Sequence, residues 1–243
     1  MPSAMERVAV ITDIHANAIA LDATLEWLES NGIEDIYCGG DLVGYGPRPN
    51  EVCEQISTRG IPTIYGNYDW AIARDDEDCG CAYVDKHDRE IGQLSVDWTL
   101  ERTARPAKDF MRELPFDRRF ALGGKRVRLV HGSPRKVNEY LFADKPAKTF
   151  ERIAAGADCD VLVFGHPHRP WAREYGGVLF VNCGSVGKPK DGDPRAGFAV
   201  LSANADGLGV EIARVAYDAA AVAGEMRAVG LPDELADKLV AAA

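Results

Sequence analysis

VITDIHAN, residues 10–17, sets the reading of the whole chain. An apolar run rich in β-branched residues stops at Asp13, and His15 follows two positions later, in a sequence with five histidines. Short apolar runs of this kind read as buried strands of an α/β sheet. Such sheets bind ligands just outside the carboxyl ends of their strands, where loops bring side chains together. Asp13 and His15 stand where that loop would begin. Beyond them, Ala18 to Ser30 carries Ile19, Leu21, Leu25 and Leu28 at helical spacing, so the chain opens as strand, loop, helix, with Val8 to Thr12 as the strand.

The order repeats downstream. Ile33 to Cys38 reads as a second strand, the glycine-rich GGDLVGYGPRP follows, and Asn50 to Thr58 is a helix announced by Pro49. Ile61 to Tyr65 is a short third strand ending at GNYD, and the repetition predicts a parallel α/β arrangement. From about 75 to 113 the pattern changes: DDED is acidic, Asp85 to Arg105 is helical, and Pro106 marks a boundary, as expected of a helical cover over one face. Strands are then expected at Arg118–Leu122, Arg126–Val130, Val161–Phe164, Val178–Val181, Phe198–Leu201 and Val210–Val215. A helix falls around Ala147–Ala155 and further helices close the chain. With no internal repeat or low-complexity linker, residues 1–243 are expected to form one domain.

Composition narrows the function. A hydrophobic fraction of 46% with 27% charged residues suits a soluble globular protein, and no apolar run approaches the roughly 18 residues of a membrane span. MPSAMERVAV lacks a basic stretch followed by a long apolar segment, so the cytoplasm is the expected location. The six cysteines are scattered, as expected of reduced thiols; Cys79-Gly80-Cys81 reads as a polar loop rather than a metal site. A net charge of -10 opposes broad nucleic-acid binding. Any positive site is expected to come from something other than lysine and arginine.

Other polar residues repeat the position of Asp13 and His15: Asp41 after the second strand, Asn67 after the third, His131 after Val130, and His166 with His168 after Phe164. All are metal-ligand types, and in extended chain residues two apart project the same way, which would aim Asp13 with His15 and His166 with His168 at one ion. Glycines at 40, 66, 132 and 165 adjoin them and suit tight turns. His87, in a charged helical stretch, is expected at the surface.

In order, DIH at 13–15, GDLV at 40–43, GNYD at 66–69, His131 in HGSP and GHPH at 165–168 resemble the motif set of the calcineurin-like metallophosphoesterases, over most of the chain from Arg7 to about Phe198. The resemblance implies a four-layer α/β/β/α sandwich and two divalent metal ions. Asp13, His15 and His168 would hold one ion, Asn67, His131 and His166 the other, and Asp41 would bridge them. Oxygen and imidazole ligands without thiolate suit Mn, Fe, Zn, Ni or Co. Two such ions clamp phosphoryl oxygens and acidify a water for in-line attack on phosphorus.

One position departs from the family pattern: after Gly66-Asn67 most members carry His, whereas this chain carries Tyr68. A phenol of pKa about 10 is a poorer proton donor at neutral pH than imidazolium. The resemblance therefore implies a phosphodiesterase for small or nucleotide-like substrates in which the metals do most of the work, Tyr68 positions the substrate and Asp69 supports the ligands. A phosphomonoesterase or protein phosphatase, or a metal-binding regulatory module, would use the same cage. Asn17 reads either as a phosphate contact or as the cap of the first helix. Gly184 and Ser185 resemble the family's glycine-serine turn near the metals. CGSVG is no nucleophile elbow, because Cys183 stands where the first glycine must be.

Overall fold

Alternation along β1 (Glu6–Ile11) explains the layering: Val8 and Val10 face one buried layer, Ala9 and Ile11 another. The computed structural model describes residues 5–82, 85–205 and 207–243. The leading MPSA of the sequence lies outside them. After β1 come α1 (Ala18–Ser30), β2 (Asp35–Cys38), α2 (Pro49–Thr58), α3 (Asn67–Ala73), α4 (Lys86–Arg102) and α5 (Arg105–Arg112). Then follow β3 (Asp117–Leu122), β4 (Lys125–Val130), α6 (Ala147–Ala157), β5 (Val161–Phe164), β6 (Trp171–Tyr175) and β7 (Val178–Asn182). The chain closes with β8 (Ala196–Asn204), β9 (Gly207–Val215), α7 (Ala219–Ala228) and α8 (Asp233–Ala241).

Two sheets result, ordered β2-β1-β8-β9 and β3-β4-β5-β7-β6. Between them lies a layer of Val8 and Val10 from β1, Val127 and Leu129 from β4, Val161 and Val163 from β5, and Ala199 and Leu201 from β8. Outside the first sheet, Ala9, Ile11, Phe198 and Val200 pack with Leu21, Leu25 and Leu28 of α1 and Val52 and Ile56 of α2. Outside the second, Leu162, Phe164, Val178 and Phe180 pack with Phe150 and Ile153 of α6. The α/β/β/α sandwich is thus the outcome of each strand presenting apolar side chains to both faces. No helix among the described residues is long and apolar enough to cross a membrane.

Several expectations need correction. The sheets are mixed: β1 pairs parallel with β2 but antiparallel with β8, and β3 and β6 are antiparallel additions to a parallel β4-β5-β7 core. The expected third strand, Ile61–Tyr65, shrinks to a bridge between Cys38 and Thr63. Pro62 has no N–H to give a ladder, and the Tyr65 amide turns away to donate to the Pro115 carbonyl at 3.0 Å. β6 was not anticipated, because WAREY is too charged to read as a strand, although Gly176-Gly177 behind it is a hairpin signal and both residues have positive φ. In the cover, α4 stops at Arg102 and Pro106 lies inside α5, in its first turn, rather than ending a helix. Asn50 bridges the break: its amide donates to the Arg102 carbonyl and accepts from the Ala104 N–H, at 2.9 and 2.7 Å.

Candidate metal centre

The loops that follow β1 and β2 are zipped together by backbone: the amides of Asp13, His15 and Ala16 donate to the carbonyls of Gly40, Asp41 and Leu42 at 2.9, 2.9 and 2.7 Å. Asp13, His15, Asp41, His166 and His168 all have positive φ, between 48° and 69°. The two-apart pairs therefore converge through left-handed turns, and not through the extended alternation expected of them. Such turns cost roughly 1–2 kcal/mol for each residue that is not glycine, and strain of this kind collects where side-chain aim matters.

Each carboxylate is held by one oxygen and presents the other. Asp13 Oδ2 accepts from the Thr12 hydroxyl at 2.8 Å and the His166 amide at 3.0 Å. Its Oδ1 then faces His168 Nε2 at 3.1 Å, His15 Nε2 at 3.8 Å and His131 Nε2 at 3.9 Å. Asp41 Oδ1 accepts from the Tyr68 amide at 2.9 Å, leaving Oδ2 at 3.4 Å from His131 Nε2 and 3.7 Å from His15 Nε2. Asp41 Oδ2 thus stands between His15 and His131, and the groups Asp13/His15/His168 and Asp41/His131/His166 are each close enough to hold one ion. Asn67 Oδ1 lies 3.2 Å from His131 Nε2, and its Nδ2 donates to the Cys79 carbonyl and the Cys81 sulfur. The CGC loop, in which the Cys79 thiol donates to Cys81 Sγ at 2.8 Å, so fixes which end of that amide faces His131.

Whether these residues fit a cation is decided by the imidazoles. The Nδ1 atoms of His15, His131 and His168 face the carbonyls of Val43, Gly39 and Lys188 at 3.0, 2.8 and 2.6 Å, so each donates there and turns Nε2 inward. Nε2 of His15 and of His168 lie 3.1 Å apart. With Nδ1 protonated, two neutral imidazoles would set lone pair against lone pair. Burial pushes the pKa values of His15 and His166 down to about 3 and that of His168 down as well, which favours those neutral forms. His131 is opposite: burial disfavours its charge, but Asp41 and Asp13 outweigh this and lift it to about 10. Burial would raise Asp13, yet His168 and His131 hold it well below the carboxylate range. Asp13 Oδ1 and His166 Nε2 are buried with no hydrogen-bond partner among the described residues. The pocket demands positive charge, and the residues fit divalent cations.

The remaining expected site residues lie around this cage. Asp69 does not touch it: its two oxygens accept from the Leu42 and Gly66 amides at 2.8 and 2.9 Å, clamping the Asp41 loop to the start of α3. Burial, aided by the Asp41 charge, raises its pKa to about 7. Asn17 caps α1, accepting from the Ala20 amide, and its Nδ2 donates to the Gly187 carbonyl. Of its two expected roles the cap is the one seen. Ser185 donates to the Asp13 carbonyl at 2.7 Å and accepts from the Lys188 amide, while Gly184 turns with φ 83°. The Ser185 hydroxyl thus ties two backbone segments together, and the Gly184 N–H donates to Asn182 Oδ1 at 2.8 Å. The Tyr68 hydroxyl is buried, with the ring edge-on to His15 at 5.6 Å and tilted against Tyr45. His87 is exposed and pairs with Glu234, as expected of a surface residue.

The profile of the calcineurin-like phosphoesterase superfamily domain matches residues 6–206. A metallophosphoesterase from Sphaerobacter thermophilus superposes with a TM-score of 0.77 at 30% identity, covering 98% of this chain and 99% of that one. An uncharacterized protein of Methanocaldococcus jannaschii is 30% identical over 249 residues, 96% of each chain. Phosphodiesterase YfcE of Escherichia coli is 26% identical over 200 residues, 78% of this chain and 84% of YfcE. The chain belongs to the calcineurin-like phosphoesterase superfamily and is a metal-dependent phosphoester hydrolase.

Residues that the sequence did not single out gather at the mouth of the cage. Tyr45 stands 4.9 Å from the His15 ring and Tyr140 4.0 Å from the His166 ring. Lys188 and Lys190 come from the loop between β7 and β8. The one available signal was local, the lysines of GSVGKPK just beyond the glycine-serine turn.

Proposed function

We propose that the chain is a phosphodiesterase whose seven cage residues hold two divalent ions. Asp13, His15 and His168 take one, Asn67, His131 and His166 the other, and Asp41 is shared. The observation that carries this reading is Asp41 Oδ2, 3.7 Å from His15 Nε2 and 3.4 Å from His131 Nε2 with its partner oxygen tied back. When bound, the ions supply Lewis-acid polarisation of the phosphoryl group and an acidified water. The protein's part is to hold the inward Nε2 atoms of His15 and His168 bare and the two carboxylates ionised, to aim His131 Nε2 at Asp41 where a cation would displace its proton, to keep the Asn67 amide turned oxygen-first, and to orient the ester. No side chain is needed as nucleophile.

The test is metal content with activity. Protein purified with Mn2+ is expected to carry two equivalents and to hydrolyse bis(p-nitrophenyl) phosphate faster than p-nitrophenyl phosphate. Chelation should abolish both metal content and rate. A single equivalent would overturn the two-ion cage, and a faster monoester would move the assignment to a phosphomonoesterase.

The buried hydroxyl of Tyr68 supports a bracing role rather than the substrate contact expected from its place in the motif. Tyr68→Phe should keep kcat/KM for p-nitrophenyl diesters within about threefold, whereas Tyr68→Ala, which strips the ring from His15, should lower it at least about tenfold. A large loss in Tyr68→Phe would restore the phenol to the chemistry.

A further inference from the structure

Beside the cage, on the far side of the Tyr45 and Tyr140 rings that pack on His15 and His166, lies a cavity of about 310 Å3 whose walls also include Lys188, Lys190 and Lys238. Three ammonium groups on one cavity are unexpected in a chain of net charge -10. They are not equivalent. Lys238 is neutralised, bonded to Asp88 at 2.9 Å and Glu234 at 2.7 Å. Lys188 and Lys190 have no carboxylate within ion-pair distance among the described residues; their ammonium groups lie 4.7 and 6.0 Å from the centre of the Tyr45 ring. Lys188 is 5% exposed, and burial pushes its pKa well below the ordinary lysine value and that of Lys190 down as well, so an anionic group placed beside them would restore their charge. A cation-π contact is worth about 0.5–2 kcal/mol and replaces only part of the lost hydration.

Place decides what the missing partner is. The Lys188 carbonyl holds His168 Nδ1, so its backbone is part of the cage wall. Tyr45, under both ammonium groups, packs edge-on against His15. The two lysines and His15 thus meet the same Tyr45 ring, and neither lysine is among the cage residues. A scissile phosphate at the ions would leave them free to take a second anionic group on the same molecule. Tyr140, packed on His166 across the cavity, offers a second aromatic wall for whatever links the two.

We infer that the substrate is a phosphodiester carrying a second, non-scissile phosphate, which Lys188 and Lys190 hold while the two tyrosines flank the linking moiety. This deepens the phosphodiesterase reading and rests on it.

The experiment compares thymidine 5′-(p-nitrophenyl phosphate) with the same ester carrying a 3′-phosphate, on the Mn2+-loaded protein. The extra phosphate is expected to lower KM about tenfold, the value of one or two charge-assisted hydrogen bonds. Lys188→Met and Lys190→Met should bring the KM ratio of the two esters towards one, and Lys188→Arg should preserve it, whatever happens to the rates themselves. Independently of turnover, metal-stripped protein titrated calorimetrically should bind thymidine 3′,5′-bisphosphate about tenfold tighter than thymidine 5′-phosphate, and Lys188→Met should lose the difference. Equal KM values, or a ratio unchanged in both methionine variants, overturn the inference. Hydrolysis of neither ester overturns the phosphodiesterase reading instead, and calorimetry still decides the anion site on its own.

Discussion

Asp41→Asn should lower kcat/KM on diesters about a thousandfold, and the purified variant should carry fewer than two metal equivalents. The change is nearly isosteric, so its effect comes from charge and from the order of the two atoms. Asp41 Oδ1 accepts from the Tyr68 N–H. An asparagine that keeps this bond must turn its NH2 to the place of Oδ2, between His15 and His131. A group with no lone pair to offer would then stand where a cation shared by both histidines needs one. An asparagine that flips instead abandons the Tyr68 amide, and a buried N–H left unpaired costs about 1–3 kcal/mol. Either way one half of the cage fails. Circular dichroism should be unchanged, because the zipper between the β1 and β2 loops is made of backbone. A variant with two metals and a rate within tenfold of the parent would show that Asp41 is not shared.

The second large effect is expected of a single methyl group. Gly66 has φ -90°, a conformation open to any residue, so its need for glycine is one of space. A Cβ there would stand 2.0 Å from Asp41 Oδ1, 2.4 Å from the Asp41 nitrogen and 2.6 Å from Asp41 Cγ. Carbon atoms meet comfortably at about 3.5–4.0 Å, so Gly66→Ala must push the Asp41 carboxylate or the start of α3 aside. A shift of about 1 Å in a catalytic group can cost about a hundredfold in rate. Overpacking of about 1–3 kcal/mol in a chain of this size should also lower Tm by about 5 °C. Gly156→Ala is the control: the site is open and helical, and the methyl there should be neutral or slightly stabilising. Parental rate and metal content in Gly66→Ala would mean that the Asp41 loop yields freely, and the rigid-cage argument would fall.

These two residues also mark what the sequence could convey. The candidate cage was readable because its residues follow short apolar runs, VITDIH and VLVFGHPH, in which strand, turn and polar side chain come in immediate succession. β2 with GGD and β4 with HGS add the same pattern. Periodicity is a local signal, and these are local arrangements. The left-handed backbone of Asp13, His15, Asp41, His166 and His168 was not readable, since glycine is the residue that advertises such turns and none of the five is glycine. The service of Asp69 as a clamp depends on the distant amide of Leu42. α3 was concealed by its brevity, seven residues beginning on a ligand. The cavity at the mouth was least visible, because Tyr45, Tyr140 and Lys188 come from three loops whose meeting is a property of the finished tertiary structure. Tyr68 is the converse case: its motif position was legible, but the burial of its hydroxyl and the ring's contact with His15 were not.

Asp13, His15 and Asp41 leave one sheet, and His131, His166 and His168 leave the other. An ion gripped from both sides would therefore be a fastener as well as a reagent, joining the two sheets at the ends of their strands. Loss of such ions would then loosen a seam as well as stop the chemistry, and chelated protein is expected to be cut faster by a protease than the metal-loaded form.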